Sequence, residues 1–130
     1  MSISAGVAIV IALALLEYMV LGALVGRARG QYKVDAPATT GNPIFERYFR
    51  VHQNTLENLI VFVPAVWLFS QFVNNSLAIA LGVIFIAGRI IYAMGYISDP
   101  GKRVPGVLIS LAVNAILVLG VVIWITIDTV

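Results

Sequence analysis

The chain has 130 residues, 61% of them hydrophobic and only 11% charged, with a net charge of +2. Soluble domains carry about 25% charged residues, so this composition excludes one and fits a membrane protein. There is no cysteine, which excludes a disulfide framework, a thiolate metal site and a cysteine nucleophile. The single histidine excludes a multi-histidine metal centre within one subunit, and the small net charge gives no reason to expect a nucleic-acid partner.

The predicted elements are four membrane-spanning helices, near residues 3–26, 45–73, 77–97 and 105–127. Each apolar run is long enough to cross a bilayer at about 1.5 Å rise per residue. The first run has nothing basic before it and no small-residue cleavage site after it, so it reads as a span and not as a removable signal peptide. It carries one acidic residue, Glu17. A first loop follows, from Arg27 to about Pro43, with turn signals in Ala36-Pro37-Ala38 and Thr39-Thr40-Gly41-Asn42, and Pro43 is placed to start the second helix. That helix has a polar foot over residues 45–55 and carries Pro64, where a kink is expected. Asn74-Asn75-Ser76 reads as a tight turn, making helices two and three an antiparallel hairpin. The third connection, Ser98 to Pro105, holds two prolines and a glycine. The fourth helix is apolar except for Asn114 and its hydroxyl residues. The expected fold is an all-α, four-transmembrane-helix bundle forming a single domain over 1–130.

The positive charges are unevenly placed. Arg27, Arg29, Lys33, Arg47 and Arg50 lie in loop one and the foot of helix two. Lys102 and Arg103 lie in loop three. The second loop and both termini have none. The positive-inside rule therefore puts loops one and three in the cytoplasm and both termini on the opposite side.

Two polar stripes stand out. On helix two, Arg47, Arg50, Asn54 and Glu57 fall within an arc of roughly 80° at ~100° per residue. On helix three, Arg89, Tyr92 and Tyr96 share a face at the same membrane depth, with Arg103 just beyond. Polar groups in a membrane helix are costly, so they usually have a task. Guanidinium groups bind carboxylates bidentately, Glu57 suits an ammonium, and Asn and Tyr add directional hydrogen bonds. Arg29, Arg50, Asn54, Glu57, Arg89, Tyr92, Tyr96 and Arg103 could converge on a pocket facing the cytoplasm. A small zwitterion with two carboxylates and one amine fits that set. The same residues also admit structural readings. Arg27, Arg29 and Lys33 could be headgroup anchors, and Glu46 and Arg47 could pair with neighbours at the interface. Arg50, Asn54 and Glu57 could form a closed ion-pair knot, Tyr92 and Tyr96 an aromatic belt, and His52 and Asn114 interhelical hydrogen bonds.

The run Arg50-Val51-His52-Gln53-Asn54-Thr55-Leu56-Glu57 resembles the R-A-H-Q-N-T-L-E signature of the MAPEG family, the membrane-associated proteins in eicosanoid and glutathione metabolism. The flanks agree. Ala28-Arg29 with Tyr32-Lys33-Val34-Asp35 is similar to the family's A-R…Y-K-V-E segment. Gly88-Arg89 through Tyr92, Gly95 and Tyr96 is similar to its G-R-x-x-Y-x-x-G-Y, and Lys102-Arg103 to its following basic pair. The motifs run in order from Ala28 to Gly106 and are most like the microsomal glutathione transferases of types 3 and 1.

The resemblance implies a homotrimer that binds glutathione as co-substrate at subunit interfaces and needs no metal. It implies glutathione ligation by Arg29, Arg50, Asn54, Glu57, Tyr92 and Tyr96, with His52 and Gln53 close to the tripeptide. Arg103 matches the arginine that stabilises the thiolate. The implied activity is transfer of glutathione to hydrophobic electrophiles in detoxification, or peroxidase-type reduction of lipid hydroperoxides, with membrane lipid around the site. Family members acting on leukotriene epoxides carry a second arginine where this chain has Gly30 and a tyrosine where it has Asn58, so leukotriene C4 synthesis is not expected. Two rivals stand beside this reading. One is a non-enzymatic, lipid-presenting member of the same family. The other is a small four-helix cation or drug exporter with Glu17 as its proton site. The short termini, with no retention signal, suggest a bacterial inner membrane.

Overall fold

A computed structural model describes residues 2–130. It contains four long α-helices: α1 (Ala5–Tyr32), α2 (Pro43–Phe72), α3 (Asn75–Ser98) and α4 (Val104–Thr129), with a 3-10 turn at Pro100–Arg103 leading into the last. All four are long and apolar enough to cross a membrane. In a bilayer the backbone must satisfy itself internally, which helices do.

The ends follow local side-chain chemistry. Ser4 Oγ accepts from the Val7 amide at 3.2 Å, Asn42 Oδ1 from Ile44 and Phe45 at 2.9 and 3.0 Å, and Asn74 Oδ1 from Leu77 at 2.7 Å. Each satisfies amides that a helix start leaves unpaired. Pro43 occupies the first turn of α2, as its fixed φ favours. α1 continues to Tyr32, six residues past the expected membrane boundary, and stops where Lys33 takes a left-handed conformation (φ 56°). Its charged last turns therefore stand clear of the apolar run while remaining helical. Loop one is correspondingly shorter than the sequence implied. The helix of α2 runs unbroken through Pro64.

α2 and α3 each pack against all the other long helices, with α1 and α4 added to that central pair. Close approach depends on glycine. A Cβ on Gly106 would lie 2.4 Å from the Tyr92 Cα, and one on Gly95 would lie 2.5 Å from the Lys102 carbonyl oxygen. Small residues at helix contacts are the usual means of tight packing where lipid removes the hydrophobic drive.

The core is split along the bundle axis. The larger apolar cluster includes Ala14, Leu59, Phe62, Phe85, Val113 and Leu117, with Phe62 and Phe85 stacked at 4.0 Å between ring centroids. A smaller one, toward loops one and three, holds Leu21, Val51, Tyr92 and Ala93. Between them, each helix contributes a polar residue to one layer: Glu17 lies between Ala14 and Leu21, Thr55 between Val51 and Leu59, Arg89 between Phe85 and Tyr92, and Ser110 between Gly106 and Val113. A third cluster, Val25, Ala28, Val34 and Phe45, ties loop one to the end of α1 and the start of α2.

Candidate functional site

The polar layer is organised by Arg89, whose side chain is only 1% exposed. Its Nη2 donates to Asn54 Oδ1 at 2.7 Å and to Thr55 Oγ1 at 2.9 Å, and its Nη1 donates to Ser110 Oγ at 3.2 Å. The two hydroxyls are prepared for this by their helices. Thr55 Oγ1 donates to the Val51 carbonyl at 2.8 Å and Ser110 Oγ to the Gly106 carbonyl at 2.9 Å. With their protons committed four residues back, only their lone pairs face Arg89. The guanidinium carbon also lies 4.3 Å from the centroid of the Tyr92 ring, a cation–π contact strengthened by desolvation.

From Asn54 the network turns outward. Asn58 Nδ2 donates to the Asn54 backbone oxygen at 3.0 Å and to its Oδ1 at 3.2 Å, and Asn114 Nδ2 lies 3.4 Å from both the backbone oxygen and Oδ1 of Asn58. Backbone carbonyls only accept, so the amide face each asparagine turns to them is its NH₂. Asn54, Glu57, Asn58, Arg89, Ser110 and Asn114 line the polar end of a groove of about 480 Å³ between α2 and α4. Val61, Leu111, Val118 and Leu119 line the rest of it. A second cavity of about 300 Å³ shares Val61 and Val118 and continues the groove along Pro64, Leu68 and Val122. Along these two neighbouring cavities the lining is polar at the end toward loops one and three and apolar toward the loop-two end of the bundle. This shape suits an amphiphile or two ligands of opposite polarity.

At the mouth, Arg50 Nη1 and Glu57 Oε1 are 3.3 Å apart, with both side chains about half exposed (51% and 52%). An ion pair this exposed is worth at most ~1 kcal/mol, so a ligand's carboxylate and ammonium can replace the partners at little cost.

The candidate residues therefore separate within one chain. Arg50, Asn54 and Glu57 are brought together, as the stripe on α2 implied. Tyr92 and Tyr96 lie on α3 with rings 5.7 Å apart, packed with Leu21 and Val51 and outside the lining of the groove, Tyr92 buried under Arg89 and Tyr96 half-buried. His52 is elsewhere: its ring stacks on Tyr18 of α1 at 4.3 Å and fills the space above Gly22. Arg29 folds loop one, with Nη1 donating to the Val34 and Ala38 carbonyls at 3.3 and 2.7 Å and its guanidinium over Phe45 at 4.9 Å. Gln53 is exposed. Arg103 is exposed on the 3-10 turn and donates to the Pro100 carbonyl at 2.8 Å. Arg47 donates to the carbonyls of Ile97 and Ser98 and so closes the end of α3.

Three groove residues were not placed in a pocket by sequence reasoning: Asn58, noted only as a departure from a tyrosine, Ser110, and Asn114, read as an interhelical hydrogen bond. A readable signal existed for two of them. Gly106, Ser110 and Asn114 recur every fourth residue on an otherwise apolar helix, a small-and-polar stripe that marks a helix–helix contact.

Residues 7–123 match the model of the MAPEG family. The chain belongs to the MAPEG family. It is accordingly a multi-pass integral membrane protein. A Synechocystis protein of uncharacterised function is 46% identical over 113 residues, covering 87% of this chain and 82% of that protein. Human microsomal glutathione S-transferase 2 is 42% identical over 95 residues, covering 73% of this chain and 65% of the human protein. Bovine leukotriene C4 synthase is 32% identical over 76 residues, 58% of this chain and 51% of the synthase. This MAPEG chain thus spans about two thirds of the human transferase it matches and about half of the synthase. The transferase relatives from human, cattle and mouse are all of type 2, where the motifs alone pointed to types 3 and 1.

Proposed function

We propose that this MAPEG protein is a glutathione transferase that binds the tripeptide at the polar end of the α2–α4 groove. One observation carries the reading. Glu57 lines the polar end of a groove whose far end is wholly apolar, and Arg50 pairs with it from beside that lining, both side chains half exposed. Glutathione brings two carboxylates and one ammonium to the polar end. A hydrophobic electrophile, entering sideways from the bilayer, takes the apolar end. Asn54 contributes its Nδ2, since its Oδ1 is held by Arg89 and Asn58. Arg29, Gln53, His52, Tyr92, Tyr96 and Arg103 complete the proposed set. In the single chain none of these six lines the groove, and Arg29 and His52 are engaged elsewhere, so a homotrimer in which a neighbour helps to complete the site is part of the proposal.

The chemistry turns on the thiolate. A thiol of pKa ~8.5 is only a few per cent ionised at neutral pH. A guanidinium placed against the sulfur, the role proposed for Arg103, favours the charged form, and each unit of lowering is worth about 1.36 kcal/mol. The thiolate then attacks an electrophilic carbon, forming a C–S bond as the leaving group departs with its electron pair. With a lipid hydroperoxide it takes the terminal oxygen instead. The O–O bond breaks to give the lipid alcohol and a sulfenic acid, which a second glutathione converts to the disulfide with release of water. The proposed orientation places loops one and three, with the groove mouth, in the cytoplasm of a bacterial cell.

The test uses purified protein with glutathione and either a chlorinated nitrobenzene or a lipid hydroperoxide. Turnover with one or both is expected, together with calorimetric binding of glutathione. Binding without turnover would leave the lipid-presenting scaffold. Arg103→Ala is expected to keep glutathione binding and lose the ultraviolet thiolate absorbance. Full absorbance and turnover in that variant would refute the role given to Arg103.

A further inference from the structure

We propose that Glu17 is the internal counter-charge of Arg89 and, through it, a positioning residue for the glutathione site. The inference rests on the glutathione reading for its second half only.

Arg89 is a full positive charge, 1% exposed, in the middle of a membrane bundle. Every side chain it donates to is neutral: Asn54, Thr55 and Ser110. These bonds satisfy the Nη atoms and the Tyr92 ring faces the guanidinium, but no anion pairs with the charge and Nε has no acceptor. A charge held away from water is costly unless paired. Glu17 carries the matching deficit. It lies in the same layer on the inner face of α1, between the buried Ala14 and Leu21, and its Oε2 is sealed from solvent with no donor. No direct ion pair joins the two among the described residues, so the pairing proposed is one across the layer.

The other carboxylates are engaged or remote. Glu57 pairs with Arg50 at the groove mouth, Glu46 accepts from the Gly41 amide, and Asp99 accepts from the Gly101 amide. Asp35 and Asp128 are exposed, in loop one and near the end of α4. Glu17 is therefore the acidic residue of the bundle interior among the described residues. The exporter reading made Glu17 a proton site, whereas here its Oε2 is buried in the bundle without a donor.

The consequence reaches the groove through one bond. Arg89 Nη2 to Asn54 Oδ1 is the shortest hydrogen bond Arg89 makes, at 2.7 Å. It fixes which end of the Asn54 amide is left for a ligand. With its counter-charge in place on the α1 side, the fork stays extended toward α2 and α4. Without it, Arg89 must draw water or another anion into the layer, and Asn54 loses its fixed orientation. The defect would be in ground-state binding of glutathione, not in the chemical step.

Two readouts test this on the full-length protein in detergent. The first is a double-mutant cycle of thermal midpoints with Glu17→Gln, Arg89→Gln and both together. Pairing predicts that the double variant loses clearly less than the two single losses combined, and simple additivity overturns the pair. If Glu17→Gln alone does not fold, a folded double variant supports the pair and an unfolded one overturns it. This arm needs no glutathione, so it stands even if the glutathione reading fails. The second readout is steady-state kinetics. Glu17→Gln is expected to raise the KM for glutathione about tenfold with kcat nearly unchanged, the signature of lost uniform binding. Glu17→Asp, which keeps the charge, is expected to restore most of the affinity. An unchanged KM in Glu17→Gln overturns the positioning role.

Discussion

Replacing Gly106 with alanine tests whether the groove depends on how closely α4 lies against α3. The added Cβ would sit 2.4 Å from both Cα and Cβ of Tyr92 and 2.5 Å from its backbone nitrogen. These are mainly backbone atoms, so no side-chain rotation relieves the clash. Reaching the 3.4 Å at which ordinary contact begins requires the helices to part by about 1 Å. Overpacking of this kind costs ~1–3 kcal/mol. The same separation would carry the Arg89 Nη1 to Ser110 Oγ bond from 3.2 Å past the ~3.5 Å limit of a hydrogen bond. A bond to a charged group is worth ~1.5–3 kcal/mol, so the two losses reinforce each other. The groove lies between α2 and the displaced helix, and a misplacement of about 1 Å can cost ~100-fold in rate. The assay pairs a thermal midpoint in detergent with glutathione turnover. Gly26→Ala is the control, since nothing lies within 4 Å of its added Cβ and alanine is the better helix former by ~1 kcal/mol. A Gly106→Ala protein with the midpoint and turnover of the Gly26→Ala control would refute the reasoning.

Arg50→Ala and Glu57→Gln are each expected to lower glutathione affinity by about tenfold or more, while shifting unfolding by no more than ~1 kcal/mol, because their mutual pair is half exposed. Calorimetry and a thermal scan separate the two quantities, and large destabilisation with unchanged affinity would make the pair a structural knot. His52→Phe keeps an aromatic ring against Tyr18 at the 4.3 Å stack and so preserves stability. If a neighbouring subunit uses His52 as a glutathione ligand, the same variant raises the KM, whereas an unchanged KM confines the residue to packing α2 on α1.

The helices were legible because two strong signals agreed. Long apolar runs set the spans, and Asn42, Asn74 and the prolines punctuated them. The end of α1 was not, because hydropathy falls at Gly26 while helical hydrogen bonding does not. The residues after it, Arg27, Ala28, Arg29 and Gln31, have no reason to leave the helix until Lys33 turns left-handed. That extension matters for Arg29. As the last basic residue of a helix it reaches the carbonyls of Val34 and Ala38 and organises loop one. A reading that placed it within a loop could not anticipate that use.

Within the site, the legible part was whatever shared one helix face. Arg50, Asn54 and Glu57 met as the wheel required. The wheel also puts His52 ~200° from Arg50, and this explains why adjacency in the motif did not become adjacency in space: the ring went to Tyr18 instead. What the sequence hid was the inward arginine. Arg89, Tyr92 and Tyr96 form a stripe, but a stripe does not say whether it faces a ligand or the core. Its partner Thr55 carries no distinctive signal, since such hydroxyls routinely bond back to their own helix, and the stripe that holds Ser110 marks a helix contact without naming Arg89 as its partner. Only the spare lone pairs of Thr55 and Ser110, brought together from α2 and α4 by the close approach at Gly106, make a buried guanidinium tolerable. Arg89 on α3 thus acts as the support that holds Asn54, and the exposed charges beside the groove are those of α2. Burial decides this division: a guanidinium 1% exposed, with both Nη atoms bonded to protein, has little left to offer a carboxylate. One that is half exposed and held by a single weak pair can still bind one.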